Sequence, residues 1–195
     1  MKRASGVLMH VSTLPNNYSI GGFSKEAYRF IDALSSGGFS YWQTLPFCSP
    51  DEVGSPYKSF GAFSGNPYFI DLETLFNKWF LTAEELNGAR QNSPYLCEFE
   101  RLKKERIPLL KKAYKRFKDY DALNEFYSTH EEILRFCEFM ALKEKNGFKK
   151  HDEWACFTPD LDALGAWKFI EYEFFTEWLE IKRYANSKGV MIVGD

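Results

Sequence analysis

The sequence lacks an excess of either charge: 27 acidic residues against 25 basic ones leave a formal net charge of −2. Without a basic surplus there is no electrostatic footprint for nucleic acid or for an anionic membrane surface, and a neutral ligand suits the balance better. Long apolar runs are missing too. Stretches such as Gly189 to Gly194 are strand-sized, too short to span a membrane. The basic start, Met1-Lys2-Arg3, leads at once into a strand pattern containing His10 and not into a signal-peptide core. Cysteine is scarce and unpatterned. Cys48, Cys97, Cys137 and Cys156 form no C-x-x-C pair, and His10, His130 and His151 stand at no ligand spacing from them. This argues against a metal centre and reads as free thiols in a reducing cytoplasm. No G-x-G-x-x-G follows a strand, and Gly21-Gly22 lacks the lysine of a phosphate loop, which disfavours a nucleotide-binding sheet. No cofactor is expected.

Aromatic residues are plentiful, at 18% from 19 Phe, 11 Tyr and 5 Trp. Most rings belong in a core. Rings exposed near loops would instead suit the apolar faces of sugar rings.

Residues 5–10 form a short apolar run and read as a buried strand. A loop rich in Pro, Asn and Gly follows, and Ser24 can cap a helix in which Ala27, Phe30, Ile31 and Leu34 recur at helical spacing. Gly37-Gly38 ends that helix, and residues 39–45 form a second apolar strand stopped by Pro46. Strand, helix, strand predicts a βαβ unit of a parallel sheet. Residues 47–71 make a loop with Pro50, Pro56 and Pro67, long enough to be functional.

From about Leu72 the pattern turns charged and helical. Thr82 to Glu85 has the form of a capping box, and Pro108 is expected to break or kink a helix within residues 98–118. Residues 121–145 are amphipathic, and 72–160 read as a helical insertion. Trp167, Ile170, Phe174, Trp178, Ile181 and Ala185 then form a core-facing helical stripe. Residues 190–195 are a third buried strand.

The domain reading is therefore 1–71 for two β/α units and a loop, 72–160 for the insertion, and 161–195 for a further helix and strand. Three parallel strands neither close a barrel nor complete a doubly wound sheet. The absent nucleotide motif favours an incomplete (β/α)8 barrel, a fold that needs roughly 250 residues. The chain reads as the start of something longer.

In parallel α/β folds ligands meet the carboxyl ends of the strands. His10, Gln43 and Asp195 stand there, and the loop bearing Ser55 and Tyr57 leaves the same edge. Neutral donors and acceptors of this kind suit hydroxyl recognition. His10 could equally be a strand-end histidine bonded to backbone, and Asp195 could equally cap a turn.

Three segments carry a resemblance: residues 5–15 (Ser-Gly-Val-Leu-Met-His-Val-Ser-Thr-Leu-Pro), residues 41–46 (Tyr-Trp-Gln-Thr-Leu-Pro) and residues 55–67 (Ser-Pro-Tyr-Lys-Ser-Phe-Gly-Ala-Phe-Ser-Gly-Asn-Pro). Asp71-Leu72 and the tail from Tyr184 to Asp195 extend it, so the chain resembles the amylomaltases, glycoside hydrolase family 77 of the alpha-amylase clan, from end to end. The resemblance implies a (β/α)8 barrel and transfer of alpha-1,4-glucan segments between maltooligosaccharides, with retention at the anomeric carbon. Retention uses a nucleophilic carboxylate and an acid/base carboxyl, typically about 5–5.5 Å apart. None of the family's catalytic acids maps onto this chain, so the chain alone is expected to be inactive.

By the same resemblance, Tyr57 packs on or bonds to glucose units and Ser55 bonds a sugar hydroxyl beside it. Asp195 shapes the donor-side pocket, and His10 and Gln43 support it. Asp51-Glu52-Val53-Gly54 departs from the family's Gly-Tyr-Gly-Asp-like run, Lys58 replaces a frequent Gln, and Val11 a frequent Pro. A non-catalytic glucan-binding module with the same barrel start is the alternative reading; a hydrolase of the same clan fits the motifs less well.

Overall fold

The structure is a computed structural model that describes residues 3–50 and 54–194. Asp195 and the departure at residues 51–53 lie outside the described residues.

Three short strands, β1 (Gly6–Leu8), β2 (Tyr41–Gln43) and β3 (Met191–Val193), form one parallel sheet in the order β1-β2-β3. The register sets Leu8, Gln43 and Val193 side by side at the carboxyl edge. Pairing continues past the strands, where Met9 N–H donates to Gln43 O at 3.0 Å and Thr44 N–H to Val193 O at 2.9 Å.

The helix between β1 and β2, α1 (Lys25–Ser36), begins at Ser24, whose hydroxyl accepts from the Glu26 amide. The long helix before β3, α7 (Leu161–Ser187), begins at Asp160, whose carboxylate accepts from the Ala163 amide. Each of these side chains satisfies an amide that the first helical turn leaves unpaired. Gly38 and Gly189 follow these two helices at φ +74° and +76°, a conformation that a side chain would strain, and each turns the chain into the next strand.

Between β2 and α7 lie α2 (Leu72–Asn77), α3 (Ala83–Gly88), α4 (Phe99–Tyr114), α5 (Tyr120–Ser128) and α6 (Glu131–Lys145). The capping box at Thr82 and Glu85 is formed. Helix α4 runs through Pro108 without a break. Pro108 and Lys104, the residue whose carbonyl loses its partner, are both exposed, so water can take the place of the missing amide, while Leu102, Leu110 and Ala113 bury the opposite side. The amphipathic stretch from residue 121 to 145 is two helices, divided at Thr129-His130. There the His130 ring stacks on Phe126 at 4.2 Å and its Nδ1 lies 2.7 Å from the Phe126 carbonyl oxygen.

Helices α4, α5 and α6 all pack on α7, as does α1, and one apolar cluster runs through them. The α7 stripe is core: Trp167, Ile170, Phe174, Ile181 and Ala185 are buried, and Trp178 is half-buried against them. Each such large side chain contributes about 1.5–3 kcal/mol by leaving water.

The sheet is covered on one face only. Val7, Trp42 and Ile192 point into the α1/α7 core, whereas Leu8, Gln43, Met191 and Val193 point outward and are exposed, Leu8 by 60%. Parallel sheets ordinarily bury both faces.

Candidate functional site

The carboxyl edge of the sheet is built first by its own strands. Gln43 ends β2 and its side chain lies on the open face, between Leu8 and Val193. His10, two residues past β1, turns the other way. Its ring is buried against Phe47 and Phe69, with centroids 5.6 and 5.3 Å away. Its Nδ1 has no hydrogen-bond partner among the described residues. Burial among these rings lowers its pKa to about 4, so the imidazole is neutral at pH 7. A neutral ring suits the hydroxyl-recognition reading, but its burial places it in the wall of the edge, not on its surface.

Beyond β2 the chain leaves through Phe47 and returns at Asn66, whose amide donates to the Phe47 carbonyl at 2.8 Å. The loop so closed is held by its own serines. Ser59 Oγ donates to the Ser49 carbonyl at 2.6 Å, Ser64 Oγ to the Gly61 carbonyl at 2.9 Å, and Pro50 bridges Ser59 in antiparallel fashion. Side chains thus supply the partners that a ladder would give elsewhere. Ser55 is half-buried and its Oγ accepts from the Tyr57 amide at 3.3 Å. Tyr57 is 65% exposed, as is Phe63 in the same loop. A recess of about 340 Å³ lies beside this loop, between Phe47, Phe63, His130 and Trp178.

The structure therefore brings Ser55 and Tyr57 together on the loop, and His10 and Gln43 to the adjoining strand ends. Phe47 links the two groups, since it packs on His10 and also anchors the loop.

Three buried glutamates on α7 go beyond the sequence expectations, although a signal for two of them is present. Glu171 and Glu177 fall at spacings of three and four from Trp167, Phe174 and Ile181, on the stripe itself, where an acid needs a partner. Glu171 Oε2 accepts from the Gly65 amide at 2.7 Å, and Glu177 Oε2 from the Asp71 amide at 2.9 Å. They hold both ends of the segment that leads out of the loop. Burial raises the Glu171 pKa to about 8 and Glu177 well above the usual carboxyl range. Glu173 pairs with Lys78 at 2.7 Å, yet burial still pushes its carboxyl up.

The carbonyls of the same segment are held by a further residue that local pattern does not reveal. Buried Arg106 on α4 donates to Tyr68 O and Ile70 O at 3.2 and 3.1 Å, and to Tyr18 O at 2.6 Å. Burial lowers its pKa to about 10, so it remains a cation at neutral pH. Amides tied to α7 and carbonyls tied to α4 fix the backbone around Phe69, and Phe69 in turn walls His10.

Among the described residues no group of three or more His, Cys, Asp or Glu could hold a metal ion. No helix of the described residues is long and apolar enough to cross a membrane.

Comparison with known proteins adds to this geometry. The family model of glycoside hydrolase family 77, described as 4-alpha-glucanotransferase, matches residues 9–195. A 4-alpha-glucanotransferase of Clostridium butyricum is 36% identical over 96% of this chain, and one of Streptococcus pneumoniae is 37% identical over all of it. The chain spans only 42% of the length of each. Among solved structures, the amylomaltase of Streptococcus agalactiae in complex with acarbose superposes on the whole chain with a TM-score of 0.93 at 34% identity, over 43% of its own length. An amylomaltase of Corynebacterium glutamicum, at 14% identity and a TM-score of 0.74 over 98% of this chain and 30% of its own, shows the shared fold alone. With nearly every residue inside the family match, the chain belongs to glycoside hydrolase family 77, the family of the 4-alpha-glucanotransferases.

Proposed function

We propose that this chain is the N-terminal part of a 4-alpha-glucanotransferase that moves alpha-1,4-glucan segments between maltooligosaccharides. The observation that carries this reading is the end-to-end likeness to amylomaltase. The chain's own contribution is one wall of the glucan site. Tyr57 presents a ring to a glucose unit, Ser55 offers a hydroxyl beside it, and Gln43 offers an amide at the strand edge. Buried His10 supports that edge, and Asp195 is given its donor-side role by the family resemblance alone. The acids that attack and protonate the glycosidic bond are assigned to the remainder of the full polypeptide.

In this reading β1, β2 and β3 open a (β/α)8 barrel, and residues 72–160 are a helical insertion in it. The open sheet face supports the assignment, because Leu8, Met191 and Val193 on it need an apolar covering that later strands would supply. The four unpaired thiols support a reducing, cytoplasmic setting.

The test is glucose release from maltotriose. The full polypeptide releases glucose and longer maltooligosaccharides, and the 195-residue chain alone releases none. Binding of maltotriose by the full polypeptide without product would overturn transfer in favour of a glucan-binding module.

A further inference from the structure

Helices α4 and α6 lie side by side on α7, and between them opens a cleft of about 730 Å³. The rim is cationic. Among the described residues, Lys103, Lys104, Lys111 and Lys143 line it with one acid, Glu144. Glu144 is already committed, since it pairs with Lys111 and accepts from the Trp167 indole N–H at 3.2 Å. Lys103 pairs outward with Glu100 at 3.2 Å. Lys104 and Lys143 have no carboxylate partner among the described residues.

The walls are aromatic. The Lys143 ammonium lies 4.7 Å above the ring of Phe60, a residue of the Tyr57 loop. Phe148, which follows α6 in a left-handed conformation at φ +60°, also lines the cleft, and its ring is half exposed. Two lysines at one cleft, neither paired with a described carboxylate, favour a compact anion, for which an ammonium is a suitable point charge. Ring faces beside that charge favour a ligand that carries its anion on a ring of its own.

We propose that the cleft between α4 and α6 binds a phosphorylated sugar, its phosphate between Lys104 and Lys143 and its ring against Phe60 and Phe148. The proposal concerns binding and does not depend on glucan transfer.

Calorimetric titration of the full polypeptide with glucose 6-phosphate, glucose and inorganic phosphate tests it. Glucose 6-phosphate is expected to bind at least tenfold more tightly than either of the others and to weaken as salt is raised. Lys104→Gln, Lys143→Gln and Phe148→Ala should each weaken it fivefold or more. Lys182→Gln, an exposed change on α7, should leave it unaltered, and all four variants should unfold at the parent's temperature. Glucose or inorganic phosphate binding as tightly as glucose 6-phosphate, or an affinity untouched by Lys104→Gln and Lys143→Gln, would overturn the proposal. Because the readout is binding at this cleft, its failure leaves the maltotriose test of glucan transfer undisturbed.

Discussion

Glu171 on α7 accepts the Gly65 amide through one carboxyl oxygen at 2.7 Å, while its other oxygen has no hydrogen-bond partner among the described residues. A fully buried carboxylate in that setting is costly, and the group holds its proton instead. The same contact joins the loop that carries Tyr57 to the helix that precedes β3.

Stability therefore depends on pH through Glu171. Its pKa of about 8 in the fold lies above the ordinary value of 4.5, so between those limits the folded chain keeps a proton that the unfolded chain has released. Stability falls as pH rises through that window, by at most roughly 1.4 kcal/mol per pH unit, and levels off above it. His10, lowered to about 4 by burial, acts in the opposite sense, its contribution being lost as pH falls from 6.5 towards 4. Comparing the parent with Glu171→Gln cancels His10. Glutamine keeps the acceptor for Gly65 and cannot ionise, so the variant should gain on the parent by a few kcal/mol from pH 5 to pH 8. Urea unfolding of the full polypeptide at intervals across that range measures this. Parallel curves for the two proteins would remove the assignment.

Gly65 is also a point of close approach. A Cβ there would fall 2.1 Å from Phe174 Cδ1, so Gly65→Ala must displace either the α7 ring or the loop. Overpacking of this kind costs about 1–3 kcal/mol. At Gly88, the last residue of α3, an added methyl group would meet nothing within 4 Å among the described residues, so Gly88→Ala should be neutral or stabilise by about 0.5 kcal/mol. Unfolding midpoints of the two variants should move in opposite directions or, at the least, only that of Gly65→Ala should fall.

Much of this architecture is legible in local pattern. Ser24 and the Thr82 capping box start helices where their hydroxyls can reach unpaired amides, and the apolar spacing from Trp167 to Ala185 marks the buried side of α7. The 47–71 loop shows in its prolines and glycines, and the exposed ring of Tyr57 sits on it. What holds that loop does not show, because Gly65 and Glu171 are 106 residues apart and no local periodicity encodes such a pair. Arg106 and Tyr18 meet across 88 residues in the same way. The division between α5 and α6 carries no Pro or Gly and is made by His130 folding back on Phe126. Strand position alone marks His10 as a group at the ligand edge, and only tertiary packing by Phe47 and Phe69 shows that its ring is enclosed.

The exposed ring of Tyr57 separates binding from stability. In the full polypeptide, Tyr57→Ala should still unfold cooperatively, with its larger effect on ligand binding. It should weaken maltotetraose binding about tenfold, equivalent to ~1.4 kcal/mol. Tyr57→Phe, which keeps the ring, should lose less than half of that. Equal losses in the two variants would assign the contact to the hydroxyl and not to stacking.

The most direct measurement is a crystal structure of the full polypeptide with maltotetraose. The account predicts glucose units lying on Tyr57 and along the carboxyl ends of β1, β2 and β3, within reach of Gln43. Sugar bound only on a surface away from those strand ends, with Tyr57 untouched, would contradict it.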